Sequence, residues 1–259
     1  MTRINLRGRS LLVTRPLPEG ERFGQLVASY HGKSLLAPVL EIKPPLDPLP
    51  FKKAVERVAS YDGVILTSAN GARAFLGQLS AQGTPHYKVP PLFAVGHKTA
   101  AIIRREGLSV EVPSHASGGG RLAQAIMDWQ PKESHFLFPR AQEGREELIL
   151  VLVENGYRVD QVDAYRAEPI HTLPEAALAA LKAGRVDAIP LFSGRTAEAF
   201  LKALPKGGEV WIEKPLVIAI SPITQHAISS PHLTIDLVSR EPTAEGLLRE
   251  LDRYWQQLR

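Results

Sequence analysis

Four short polar stretches stand just ahead of segments with helical periodicity: Ser68-Ala69-Asn70-Gly71, Gly96-His97-Lys98-Thr99, Ser193-Gly194-Arg195-Thr196 and Ser221-Pro222-Ile223-Thr224. A stretch of this kind offers unpaired backbone N–H groups at a helix start, where the helix dipole adds to the attraction for a carboxylate or phosphate. Ser68, Asn70, Thr99, Ser193, Gly194 and Thr224 are therefore candidate anion ligands. The hydroxyls of Ser68, Thr99, Ser193 and Thr224 would serve equally well as N-caps of their own helices. Arg15 and Arg140 each follow a strand-like apolar run, as solvated surface residues or as cations for an anionic ligand. Arg145 could pair with its glutamate neighbours. Tyr165 lies in an extended segment, where the plain expectation is a packed ring with its phenol at a wet edge. Asp163 and Glu168 flank it, but no two carboxylates are spaced for acid/base work.

Other chemistries are missing from the sequence. There is no GxxxxGK[ST] loop, no GxGxxG after a strand, no HExxH and no GxSxG elbow. The eight histidines are scattered without metal-ligand spacing, and cysteine is absent, which excludes a disulfide framework, a thiolate nucleophile and a cysteine metal site. The 31 basic and 27 acidic residues are interspersed, with no block that reads as a nucleic-acid footprint. No apolar run is long enough for a signal peptide or a membrane span. A cytoplasmic soluble protein is expected. Ser117-Gly118-Gly119-Gly120 is either a permissive helix start or a carboxylate-binding loop.

The elements that carry these residues come in two copies. Ser10–Pro16 reads as a strand, Phe23–Tyr30 as a helix and Leu35–Ile42 as an extended segment running into prolines. A shift of 125 residues places Arg15 on Arg140 and Pro44 on Pro169. It also lays Asp62–Leu79 over Asp187–Leu204 with eight identities in eighteen positions and no gap. In that pair, Ala72, Phe75, Leu76 and Leu79 repeat the helical spacing of Ala197, Phe200, Leu201 and Leu204. Phe93–Thr99 falls on Ile218–Thr224, and Leu108–Val112 on Leu233–Leu237. Strands alternating with helices predict parallel sheets covered on both faces. Two copies predict two similar lobes with a cleft between them, either contiguous or interleaved in sequence.

The second copy opens with the most informative stretch, Phe136–Pro169. Phe136-Leu137-Phe138 reads as a buried strand, Pro139–Gly144 as a loop, and Leu148, Val151 and Leu152 as a helix stopped at Asn155-Gly156. Arg158–Val162 is a second strand that leads into Ala164-Tyr165-Arg166-Ala167-Glu168-Pro169, held extended by the proline. This order of strand, basic loop, helix, glycine stop and strand closing on Tyr-Arg resembles the uroporphyrinogen-III synthase family.

The resemblance runs from Val13 to about Leu251 and implies an α/β fold of two similar lobes, each a parallel sheet flanked by helices, joined by a two-stranded β connector. Residues 1–38 with 171–259 would form one discontinuous lobe, 46–163 the other, and 39–45 and 164–170 the connector strands. It implies an enzyme that cyclises the linear tetrapyrrole hydroxymethylbilane, with loss of water and inversion of ring D, by way of an azafulvene and a spiro-pyrrolenine. No cofactor and no metal would be needed, because electron-rich pyrroles expel water themselves once correctly folded, which leaves the protein mainly a task of orientation. Tyr165 matches the family's characteristic tyrosine. It would donate a hydrogen bond to the departing hydroxyl, since a phenol with a reference pKa of about 10 stays protonated at neutral pH. Ser68, Asn70, Thr99, Arg140, Ser193, Gly194 and Thr224 would hold the substrate's carboxylates. A monomer without nucleic-acid or membrane partners is expected. The rival reading is a non-catalytic two-lobed cytoplasmic protein that binds an anionic metabolite.

Overall fold

In the computed structural model, residues 4–113, 119–143, 147–228 and 230–258 are described. The first copy of the repeat supplies β1 (Ser10–Val13), α1 (Glu19–Ser29), β2 (Lys33–Leu36), β3 (Leu40–Lys43), α2 (Leu49–Glu56), β4 (Gly63–Leu66), α3 (Ala69–Ala81), β5 (Leu92–Ala94) and α4 (His97–Arg105). Then follow α5 (Gly119–Trp129), β6 (His135–Ala141), α6 (Glu147–Glu154), β7 (Arg158–Pro169), α7 (Glu175–Lys182), β8 (Ala188–Leu191) and α8 (Gly194–Ala203). The chain ends with β9 (Leu216–Ala219), α9 (Pro222–His226), β10 (Leu237–Val238) and α10 (Ala244–Gln257). Among the described residues, no helix is long and apolar enough to cross a membrane.

The chain divides into two units, Met1–Glu41 with Glu168–Arg259, and Ile42–Ala167. The first contains a five-stranded sheet in the order β10-β9-β8-β1-β2, paired in parallel throughout. The central strands β1, β8 and β9 are buried on both faces, so they read as largely apolar runs rather than alternating ones. On one face Leu12 and Leu191 pack with Ala177, Leu181 and Phe200 of α7 and α8. On the other, Leu11 and Val13 pack with Phe23 and Val27 of α1 and with Leu247, Leu251 and Trp255 of α10.

The second unit contains the sheet β3-β7-β6-β4-β5. From β5 to β7 the pairing is parallel. Val64, Leu66 and Leu137 meet Phe51, Phe75 and Ile103 of α2, α3 and α4. Ile65, Phe93, Phe136 and Phe138 meet Leu122, Ile126, Leu148 and Leu152 of α5 and α6. Phe93 also bridges in parallel to Glu111, in the place where β10 pairs with β9 in the other sheet.

The two sheets thus share one strand order under the 125-residue shift, and they exchange parts. β1 and β2 of the first copy join β8, β9 and β10 of the second, while β6 and β7 of the second copy join β4 and β5 of the first. The repeat is interleaved.

Three local readings change. Leu35–Ile42 is not one strand: β2 ends at Leu36 and β3 begins at Leu40, in different sheets. Pro38 lies in the break and has no N–H to donate to a ladder. Pro139-Arg140-Ala141, expected as loop, continues β6, its residues matched to Val162, Asp163 and Tyr165 of β7. Arg158–Pro169 is one strand of twelve residues. The crossing from one unit to the other is therefore the end of a sheet strand, with β3 added beside it at the sheet edge.

Candidate active site

Tyr165 owes its direction to an irregularity in β7. Arg140 of β6 is matched to Asp163, but the next residue, Ala141, is matched to Tyr165, so Ala164 is an extra residue without a partner on β6. Successive side chains on a strand alternate between faces. Val162 and Ala164 pack in the core against α3 and α4, and strict alternation would send Tyr165 to the opposite face. An extra residue of this kind re-aims the side chain that follows it. Tyr165 packs against the same core as Val162 and Ala164, half-buried, beside the start of α3.

There its phenol oxygen lies 3.0 Å from the Oγ of Ser68. Ser68 is the N-cap of α3, with extended backbone, and its Oγ accepts the N–H of Gly71 at 2.9 Å. The first turn of α3 sits close against β6. A Cβ built on Gly71 would come within 3.2 Å of the Pro139 carbonyl oxygen and 3.8 Å of the Tyr165 ring. Asn70, one residue into the helix, accepts a hydrogen bond from Arg73 at its Oδ1, at 3.0 Å. Ser68 and Tyr165 are thus brought together, with Asn70 in the same first turn and bonded to Arg73.

Arg140 takes part in a different group. Its guanidinium donates to Gln161 Oε1 at 3.0 Å and to the carbonyls of Ala141 and Gln142, and it lies 3.8 Å from Asp163. Gln161 and Asp163 alternate with Val162 and Ala164, so these partners belong to the other face of β7. Arg140, Gln142 and Asp163 line a recess of about 580 Å³ together with Leu46 and Asp47. Thr99 is buried in the first turn of α4, whose N-cap is Gly96 with no side-chain cap bond. Thr99 is therefore not a cap.

The first unit gathers the remaining candidates. Ser193 caps α8, accepting the Thr196 N–H, and its hydroxyl also meets Thr196 Oγ1 at 2.8 Å. Gly194 follows, packed so closely that an added Cβ would stand 2.7 Å from the Ala227 carbonyl oxygen at the end of α9. Thr224 is buried and does not cap. Ser221 holds that position and accepts the Thr224 N–H at 3.2 Å. Under the repeat Ser221 falls on Gly96, which hid its role. Arg15 stacks on Phe192, 4.1 Å from the ring centre, a contact across 177 residues that no spacing reveals. Burial lowers the guanidinium's proton affinity there, and Glu19 partly restores it. Arg145 and the Ser117-Gly118 start of the glycine-rich loop lie outside the described residues.

Among the described residues, no group of three or more His, Cys, Asp or Glu is placed to hold a metal ion. The arrangement offers a phenol fixed by a capping hydroxyl, and helix starts with small polar side chains. That is equipment for holding an anionic molecule and presenting one weak acid.

The family model described as uroporphyrinogen-III synthase HemD matches residues 21–249. A uroporphyrinogen-III synthase of Synechococcus elongatus is 28% identical over 97% of both chains. Crystal structures of uroporphyrinogen III synthases share the fold. One from Thermus thermophilus has a TM-score of 0.59 at 20% identity, covering 96% of this chain and 99% of that one. One from Helicobacter pylori has a TM-score of 0.57 at 19% identity, covering 97% of this chain and all of that one.

Proposed function

The chain belongs to the uroporphyrinogen-III synthase family, enzymes of haem biosynthesis, and we propose that Tyr165 is the residue through which it assists the loss of water from hydroxymethylbilane. The observation behind this reading is the phenol re-aimed by the extra Ala164 and bonded to the cap of α3. Family membership favours an enzyme over a non-catalytic metabolite-binding protein, which would give that phenol no task.

In this reading the pyrrole nitrogen pushes out the terminal hydroxyl while Tyr165 donates its proton to it, so that water leaves and an azafulvene, still protonated at nitrogen, remains beside the phenolate. Ring D then bonds to the new carbon and inverts, and the proton released as its pyrrole re-forms restores the phenol. The substrate's carboxylates are held by the helix starts at Ser68–Asn70, Thr99, Ser193-Gly194 and Thr224, mainly through backbone N–H groups, and by Arg140. Backbone donors suit a flexible polyanion because they bind carboxylates without a unique side-chain geometry. The protein acts as a cytoplasmic monomer and needs neither metal nor cofactor. Full activity after exhaustive chelation is the expected outcome.

The test is direct. Freshly made hydroxymethylbilane is supplied, and the porphyrin isomers are separated after oxidation. Type III supports the reading; type I alone, the spontaneous product, rejects it. Tyr165→Phe keeps the ring and its packing, so the fold should persist while kcat falls roughly tenfold to a hundredfold, at or below the foot of the usual range for a general acid, because the pyrrole nitrogen itself drives the departure. The product should remain type III, because inversion depends on how the substrate is folded. An unchanged kcat would make Tyr165 a packing residue.

A further inference from the structure

A single serine hydroxyl joins the start of α3 to the phenol. Ser68 Oγ has two lone pairs and one hydrogen. One lone pair receives the Gly71 N–H at 2.9 Å, and the remaining capacity faces the Tyr165 oxygen at 3.0 Å. If the phenol donated to Ser68, its proton would be engaged and unavailable to a departing hydroxyl. With a substrate hydroxyl accepting that proton, the hydrogen of Ser68 is the one that points at the phenol oxygen.

We propose that Ser68 is a positioning residue for Tyr165: its hydroxyl, anchored by the Gly71 N–H, donates to the phenol oxygen while the phenol donates its own proton to the leaving group. This rests on the acid role of Tyr165 and reassigns Ser68 from the substrate's carboxylates to the phenol. As the proton moves to the departing hydroxyl, charge develops on the Tyr165 oxygen. A hydrogen bond to that oxygen strengthens at that moment and not before, which makes it a transition-state interaction. Once water has gone, the proton set free when ring D re-aromatises returns to the phenolate, so Ser68 gains and loses nothing over a turnover.

The repeat supplies an internal comparison. Ser193 occupies the equivalent place and caps α8 in the same way, but its hydroxyl meets Thr196 Oγ1 at 2.8 Å. The position equivalent to Tyr165 in the first copy is Leu40. The Ser193 hydroxyl thus stays within the first turn of its own helix, and only the Ser68 hydroxyl also touches a phenol.

The experiment combines kinetics with a view of the phenol itself. Protein labelled with carbon-13 at the tyrosine Cζ gives resonances from six tyrosines, and Tyr165→Phe identifies the one from Tyr165. Ser68→Ala should move that resonance, make the phenol ionise at higher pH than in wild type, and lower kcat on the order of tenfold with KM little changed, the worth of one hydrogen bond to a charge-bearing oxygen. Ser68→Thr, which keeps the hydroxyl, should restore all three. In the Tyr165→Phe background, Ser68→Ala should cost almost nothing further, as expected of two residues acting as one. Thr243→Ala, which removes the cap of α10, controls for capping: stability drops while kcat and the Tyr165 resonance stay put.

Two results overturn the proposal and are separable. If Tyr165→Phe lowers kcat but Ser68→Ala leaves the resonance in place and raises KM equally in both backgrounds, Ser68 binds substrate and the acid reading stands. If Tyr165→Phe keeps full kcat, the acid reading fails, and the role of Ser68 in it fails too.

Discussion

Asp160 shows how side chains of one unit can tie stability to pH without touching the candidate site. Its Oδ2 accepts from the Tyr61 hydroxyl and from Arg57, each at 2.8 Å, and its Oδ1 meets His135 Nε2 at 2.9 Å. Partial burial opposes its ionisation, but the hydrogen bonds from His135 and Tyr61 and the charges of His135 and Arg57 outweigh it, holding the carboxyl below its ordinary 3.8. The folded state therefore binds fewer protons here than the unfolded one. The stability this contributes is complete above about pH 4 and is lost as pH falls through the folded value. Tyr61 works at the other end: its own burial first, then the neighbouring carboxylate, push it up to about 12. Its share is complete below about pH 10 and is lost as pH rises through 12. Asp160→Asn should therefore be less stable than wild type at neutral pH, with the gap closing toward pH 3, as denaturant melts at a series of pH values would show. A gap of constant size would mean that the carboxylate's charge contributes nothing.

At the scale of elements, the caps decide how the polar stretches behave. Ser221→Ala should cost about 1 kcal/mol as a lost N-cap. Thr224→Ala should cost about 1 kcal/mol as well, because Thr224 is buried and the change removes a packed methyl together with the 3.2 Å contact to Ser221 Oγ, and as a substrate ligand it should lower kcat/KM where Ser221→Ala lowers only stability. Gly194→Ala brings a Cβ to 2.7 Å from the Ala227 carbonyl oxygen, so α8 and α9 must separate, at about 1–3 kcal/mol for overpacking. A melt equal to wild type would leave that glycine without its packing role. Ser68 and Ser193 were legible as caps because a polar residue followed by helical spacing has few other readings. The alternative of Thr99 and Thr224 as N-caps fails because each helix begins two residues earlier, at His97 and Pro222, and local propensity fixes a boundary no better than that. The order of strands and helices was legible because an ungapped repeat shows each element twice. The bulge at Ala164 was not, since apolar alternation carries no mark of an unpaired residue. Nor was the partner of Tyr165, which is 97 positions away.

For the whole molecule, interleaving makes the two units unequal. Phe75 and Phe200 are equivalent under the repeat and both fully buried, one in each unit. Either Phe→Ala change should cost its own unit about 3–5 kcal/mol. The consequences for the other unit differ because of the chain path. Unit Ile42–Ala167 is a continuous segment, whereas the other is built from Met1–Glu41 and Glu168–Arg259. If the continuous unit unfolds, the other must keep β1 paired with β8 across a disordered loop the length of Ile42–Ala167, an entropic cost on the order of 4 kcal/mol. If the discontinuous unit unfolds, the continuous one only acquires two loose tails. Phe75→Ala should therefore speed amide exchange in β1 and β8 as well as in β4 and β6, while Phe200→Ala should speed it in β1 and β8 and leave β4 and β6 protected. Hydrogen exchange resolved by peptide reads all four strands in one experiment. Equal loosening of β4 and β6 by Phe200→Ala would mean that the chain unfolds as one cooperative body, and the asymmetry inferred from its path would be wrong.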